Sequence, residues 1–189
     1  MKRDVCAALV KERIDPRALV VCAMGSTGGA WRRQGASQPT YFVSDPMGMA
    51  LPMALGLALA QPSRDVILLG GDGDFVMSLS ALLTVAEANA KRLKIAIFNN
   101  GRYESGGGQP LSASGRFSLS AIGRGAGFAW SETVEEATAP DMVSEWIKAE
   151  GPALLIFAVD PESFHYPPTG RWAKMEERTL FMQRVLDTP

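Results

Sequence analysis

Short, uninterrupted apolar runs recur along the chain, and between them apolar side chains return every three or four positions. Residues 18–23 (ALVVCA), 66–70 (VILLG), 94–98 (KIAIF) and 153–159 (ALLIFAV) are short and rich in branched aliphatic side chains. Such continuous apolarity predicts strands covered on both faces. A weaker strand is expected at 41–44. Helical spacing predicts helices over 50–60, 77–89, 119–125 and 141–150, and the amphipathic start of the chain, before Pro16, predicts one more. Strand alternating with helix defines an α/β fold, a three-layer αβα domain on a mostly parallel central sheet. One domain, 1–189, is the expectation at this length. Residues 161–189 form its tail, with an amphipathic helix over 172–186 that presents Leu180, Phe181, Met182, Val185 and Leu186; packing back on its own domain is the default for such a helix.

Composition narrows the function classes. The 19 Lys and Arg balance 20 Asp and Glu, so the basic excess that supplies most of the affinity of a nucleic-acid binder is missing. The longest nearly unbroken apolar stretch, residues 47–60, is interrupted by Pro52 and falls short of the roughly 20 residues a membrane span needs. Lys11, Glu12 and Arg13 interrupt the N-terminal stretch before a signal-type apolar segment develops, and a cytoplasmic protein without membrane contact is expected. Cys6 and Cys22 have no metal-ligand spacing and are expected to be buried thiols. His165, the one histidine of the chain, is expected at a surface or an interface.

In parallel sheets ligands gather beyond the carboxyl ends of the strands, which directs attention to residues 24–29 (MGSTGG), 71–74 (GDGD) and 99–103 (NNGRY). Alone, Gly71-Asp72-Gly73 is an ordinary turn, and so is Asn99-Asn100-Gly101. Together they bound one βαβ unit, so that neighbouring strands would bring Asp72 and Asn100 to the same sheet edge. A carboxylate and a carboxamide oxygen suit Mg²⁺, a hard cation that seldom takes all six oxygens from protein. Backbone N–H groups around Gly73 and Asp74, near the next helix start, would receive phosphate.

GDG followed by twenty-five residues and NN resembles the motif of the diphosphate-binding domain of thiamine diphosphate-dependent 2-oxoacid decarboxylases. Residues 45–58 (DPMGMALPMALGLA) are similar to the segment that precedes the motif in that family. Residues 103–109 (YESGGGQ) resemble a stretch of the sulfopyruvate and phosphonopyruvate decarboxylases. The resemblance implies a thiamine diphosphate-binding fold, with Mg²⁺ held by the side chains of Asp72 and Asn100 and by the carbonyl of Arg102. It implies that Ser26, Thr27, Gly71, Gly73, Asp74 and Asn100 bind the cofactor, that the carbonyl of Asp45 meets its pyrimidine amino group, and that Met47 props it in a bent shape. At Asp45-Pro46 and at Ser105 the chain departs from the family pattern.

The resemblance further implies that the activating glutamate comes from a separate pyrimidine-binding domain, for which this chain leaves no room. No catalytic residue is then expected here: Glu12, Glu104 and the other acids are expected to be solvated, and the chain reads as the β subunit of a hetero-oligomeric sulfopyruvate- or phosphonopyruvate-like decarboxylase that releases an aldehyde. Arg102, Arg116 and Arg171 are candidate anchors for an anionic 2-oxoacid. The alternatives are an acetolactate synthase-like carboligase, a 2-oxoacid oxidoreductase β subunit, and a non-catalytic assembly subunit. A nucleotide-binding Rossmann domain is disfavoured, because GSTGGA lacks the G-x-G-x-x-G order.

Overall fold

The computed structural model describes residues 1–44, 46–162 and 171–186. Six strands form one sheet: β1 (Leu19–Cys22), β2 (Thr40–Phe42), β3 (Val66–Gly71), β4 (Leu93–Asn99), β7 (Trp130–Val134) and β8 (Ala153–Ala158). Their order is β2-β1-β3-β4-β8-β7, and every neighbouring pair is parallel. The predicted strands are all present. The sheet carries one more at its far edge, β7, whose half-polar sequence WSETV buries only Ser131 and Val134.

Successive side chains of a strand point to opposite faces, and the sheet accordingly separates two cores. On one face Val21, Leu68, Ile95 and Ile156 meet α3 (Ala50–Ala60), α5 (Ala81–Ala88), α6 (Leu119–Ala126) and α8 (Arg171–Leu186). On the other, Val20, Ile67, Ala96 and Leu155 meet α1 (Arg3–Arg13), α2 (Ser26–Arg33) and α7 (Ala139–Lys148), whose Trp31 and Trp146 are fully buried. Trp146 places its ring nitrogen, the one polar atom it must bury, 3.1 Å from the Ala153 carbonyl.

Three local outcomes differ from the sequence expectations. The glycine-rich residues after β1 form α2 rather than a loop, because Thr27, Gly28, Ala30 and Trp31 are buried there and tertiary packing outweighs the poor helix propensity of two glycines. The helix expected over 77–89 is shorter, α5 beginning only at Ala81, and a separate helix, α4 (Asp72–Val76), precedes it, the two parted where the Ser78 N–H turns back to the Phe75 carbonyl at 3.0 Å. Residues 105–115, whose Gly, Pro and Ser content is that of a linker, are in part structured, β5 (Arg102–Tyr103) pairing antiparallel with β6 (Gln109–Pro110) around one turn of 3-10 helix, Glu104–Gly106.

Helix α8 does pack on its own domain, but with a narrower apolar face than the sequence suggests. Phe181 and Val185 are buried, Phe181 edge-on to Tyr41 at 5.5 Å, while Leu180, Met182 and Leu186 are exposed. Glu177 anchors the helix through a two-pronged ion pair with Arg32. Asp45, His165 and the proline-rich part of the tail lie outside the described residues, as does the side chain of Arg171.

Candidate functional site

The chain leaves β1 toward β2 on one side and reaches β3 on the other, so the loops after β1 and β3 diverge. A crevice opens there, at the carboxyl edge, where the strand order reverses. Register sets its contents. Gly71 of β3 pairs with Phe98 of β4, so the next residues up the ladder are Asp72 on one strand and Asn99 and Asn100 on the other. The cleft, about 420 Å³ including space open to solvent, is lined by Ser26, Thr27, Met47, Gly71 and Asp72. Gly73, Asp74, Asn100 and Arg102 complete the set. The described cofactor- and metal-binding candidates from the sequence therefore converge on one site, whereas Arg116, a candidate anchor for the substrate, is exposed and does not line it.

Asp72 is its buried acid, 2% exposed. The Gly73 N–H donates to its Oδ1 at 3.0 Å and the Gly101 N–H to its Oδ2 at 2.6 Å. Burial outweighs these hydrogen bonds and raises its pKa from 3.8 to about 6. Asn100 Oδ1 accepts the Arg102 N–H at 2.9 Å, and Arg102 faces Pro110 as a non-hydrogen-bonded pair of its hairpin, the ladder bond running instead from the Leu111 N–H to the Gly101 carbonyl at 2.9 Å, so the ladder leaves the Arg102 carbonyl unused. Among the described residues no three His, Cys, Asp or Glu side chains gather as a metal site. A cation here would therefore draw on carboxylate, carboxamide and backbone oxygens, with phosphate and water making up the rest, which is how Mg²⁺ is usually held. A desolvated carboxylate with no cationic partner among the described residues, beside two further oxygen donors, fits that group.

The surroundings fit a diphosphate. Helix α2 opens with first-turn N–H groups that no side chain caps, and such groups suit an anion. Gly73 lies so close to the hairpin that a Cβ there would be 2.7 Å from Cδ1 of Tyr103. Asp74 acts first through its side chain: its Oδ1 accepts the Gly48 N–H at 2.9 Å and braces the turn that carries Met47, Gly48 itself adopting φ +85°. Burial raises the pKa of Asp74 as well.

One expectation is corrected. Glu104 is not solvated; its side chain is 12% exposed and both of its oxygens lie 2.9 Å from Nη2 of Arg3, itself 2% exposed. Burial pushes its pKa upward, but hydrogen bonds from the Ser26 hydroxyl and the Glu162 N–H, together with the Arg3 guanidinium, outweigh it and hold the carboxyl below its usual range. Arg3, Tyr103, Glu104 and Ser105 all border the cleft. Tyr103 to Ser105 belong to the YESGGGQ stretch that carried part of the resemblance, whereas nothing near Arg3 in the sequence marks it. Both cysteines are buried and free as expected, and burial pushes the Cys6 thiol up to about 12 and Cys22 higher still.

A parallel sheet with anion-receptive turns and oxygen donors at its switch point is the architecture of a phosphate-binding α/β domain. Residues 23–157 match the family model described as thiamine pyrophosphate enzyme, C-terminal TPP binding domain, and the chain belongs to that family. It is 34% identical over 110 residues to the sulfopyruvate decarboxylase subunit beta of Methanothermobacter thermautotrophicus, the match covering 58% of each chain. It is 32% identical over 134 residues to the acetolactate synthase isozyme 1 large subunit of Escherichia coli, covering 64% of this chain and 23% of that one. The chain thus spans about a quarter of one relative and little more than half of the other. Among solved structures, the thiamine diphosphate-dependent 4-hydroxybenzoylformate decarboxylase of Rhodococcus jostii shares the fold, with a TM-score of 0.70 at 24% identity over 87% of this chain and 33% of that one. No described helix is long and apolar enough to cross a membrane.

Proposed function

We propose that this chain is the Mg²⁺- and diphosphate-binding half of a thiamine diphosphate-dependent 2-oxoacid decarboxylase, and that it works with a partner carrying the pyrimidine-binding domain. The juxtaposition of Asp72 and Asn100 at the ends of adjacent strands carries this reading. Asp72, Asn100 and the Arg102 carbonyl would hold the cation. The α2 N-terminus, Thr27 and the turn at Gly73 would hold the diphosphate, and Met47 would support the cofactor beyond it. When bound, thiamine diphosphate supplies the electron sink that cleavage of a 2-oxoacid requires, and the protein's part is binding, orientation and electrostatics. The buried floor of the cleft excludes water around the charges it holds, which strengthens every contact made there.

Among the described residues Glu104 is the single glutamate bordering the cleft, and its ion pair and hydrogen bonds occupy it. That supports an activating glutamate supplied from outside the chain and a hetero-oligomeric enzyme. Likeness to the sulfopyruvate decarboxylase subunit favours non-oxidative decarboxylation of an anionic 2-oxoacid to an aldehyde. Likeness to the acetolactate synthase subunit favours a second reading, carboligation by the same half-site.

Carbon dioxide release from sulfopyruvate, phosphonopyruvate and pyruvate tests both, with thiamine diphosphate and Mg²⁺ present. The purified chain is expected to show no turnover above buffer, and addition of the pyrimidine-domain subunit is expected to restore it. Sustained turnover by the chain alone would contradict the half-site, and acetolactate as the product from pyruvate would favour the second reading.

A further inference from the structure

The cleft contains an ion-pair network that neither the binding motif nor the family match accounts for. Arg3, at the start of α1, lies outside the matched residues 23–157. Its guanidinium is almost completely buried, yet it reaches two acids distant in sequence: Nη2 meets both oxygens of Glu104 at 2.9 Å, and Nη1 meets Oε2 of Glu162 at 3.2 Å. Glu104 in turn accepts the Glu162 N–H at 3.1 Å and the Ser26 hydroxyl.

Three consecutive residues then join the hairpin to the two turns of the site. Tyr103 lies against Gly73, so close that a Cβ would collide with its ring. Glu104 holds Ser26, the first residue of α2. Ser105 faces Gly25, its Oγ 3.7 Å from where a Cβ would be. Gly25 has φ +87° and Gly107 φ +108°, so the backbones on both sides use conformations that side-chain-bearing residues rarely adopt. The hairpin has few apolar contacts of its own, since both residues of β6 are exposed and no residue of its 3-10 turn is buried. What fixes it over the cleft is the charge pair.

We infer that Arg3 is a positioning residue for cofactor binding: through Glu104 it holds the Tyr103–Ser105 segment against the β1 and β3 turns, and so sets the affinity of the cleft for Mg²⁺ and the diphosphate. The inference rests on the cofactor reading above. Lysine at position 3 would keep the charge but not the planar fork that serves two carboxylates at once.

Two measurements test this on the full chain. The first is amide hydrogen exchange of the cofactor-free protein. Arg3→Met is expected to speed exchange at least tenfold over residues 101–110 while leaving β4 unchanged, Arg3→Lys is expected to fall between it and the original protein, and Glu104→Gln is expected to have the effect of Arg3→Met. The second is equilibrium binding of thiamine diphosphate in the presence of Mg²⁺. Arg3→Met and Glu104→Gln are each expected to raise Kd at least tenfold, and the double variant to be no weaker than the weaker single one, because both remove the same contact. Unchanged exchange over 101–110, or a Kd within twofold of the original in Arg3→Met, would overturn the inference while leaving the cofactor reading intact. Absence of binding by the unmodified protein, with or without the pyrimidine-domain subunit, would overturn that reading and the affinity claim with it, the exchange result then reporting on the clip alone.

Discussion

Asp72→Asn is expected to weaken Mg²⁺-dependent thiamine diphosphate binding by more than ~100-fold, because partners that merely support a metal ligand already cost roughly 10–100-fold. The substitution preserves shape and removes the charge. Its effect on the fold is expected to be small, since two terms oppose each other. Losing one acceptor for the Gly73 or Gly101 N–H costs on the order of 1–3 kcal/mol. Removing a carboxylate whose pKa burial has raised from 3.8 to about 6 returns on the order of 3 kcal/mol at neutral pH. Isothermal titration with thiamine diphosphate and Mg²⁺, alongside thermal unfolding in EDTA, separates the effects: lost binding with a melting temperature close to the original assigns Asp72 to the cation. Binding within a few-fold of the original would remove it from the site.

Gly73→Ala carries the second large effect, and it reports on the hairpin rather than the metal. The added Cβ would sit 2.7 Å from the ring of Tyr103 and 3.7 Å from the Arg102 carbonyl, so the ring and the hairpin must move, and with them an oxygen assigned to the cation. Overpacking of this kind costs roughly 1–3 kcal/mol, which in a site that must hold the hairpin in place corresponds to about a 10–100-fold rise in cofactor Kd. Tyr103→Ala in the same chain removes the obstacle and is expected to recover most of the loss. A double variant as weak as Gly73→Ala alone would place the fault in the backbone of the turn and not in the contact with Tyr103.

Much of this architecture is legible in the sequence because the central strands are covered on both faces: VILLG and ALLIFAV have no alternation to misread. That Asp72 and Asn100, the pair proposed to hold the cation, lie together was legible for a related reason, since strand ends carry their next residues to a common edge once two strands are neighbours. Where local sequence and tertiary context disagree, legibility fails. Ser26 to Gly29 read as loop because two glycines disfavour a helix, and only burial of Thr27 and Trp31 beneath the sheet face makes them helical. WSETV at the sheet edge gave a half-polar signal that a search for apolar runs passes over. Glu104 was misread as a solvated acid because its counter-ion lies 101 residues away, at the far end of the chain in sequence and directly beside it in space. The C-terminal helix shows the converse: its apolar stripe was visible, but only the fold separates Phe181 and Val185, which are covered, from Leu180, Met182 and Leu186, which are not.

The half-site itself is tested most directly by titrating the purified chain with thiamine diphosphate in Mg²⁺ and again in excess EDTA. Saturable binding at one site that requires the cation, and that Asp72→Asn and Asn100→Ala each abolish, is the expected result. Binding of equal strength in EDTA, or no binding in Mg²⁺ with or without the pyrimidine-domain subunit, would contradict it.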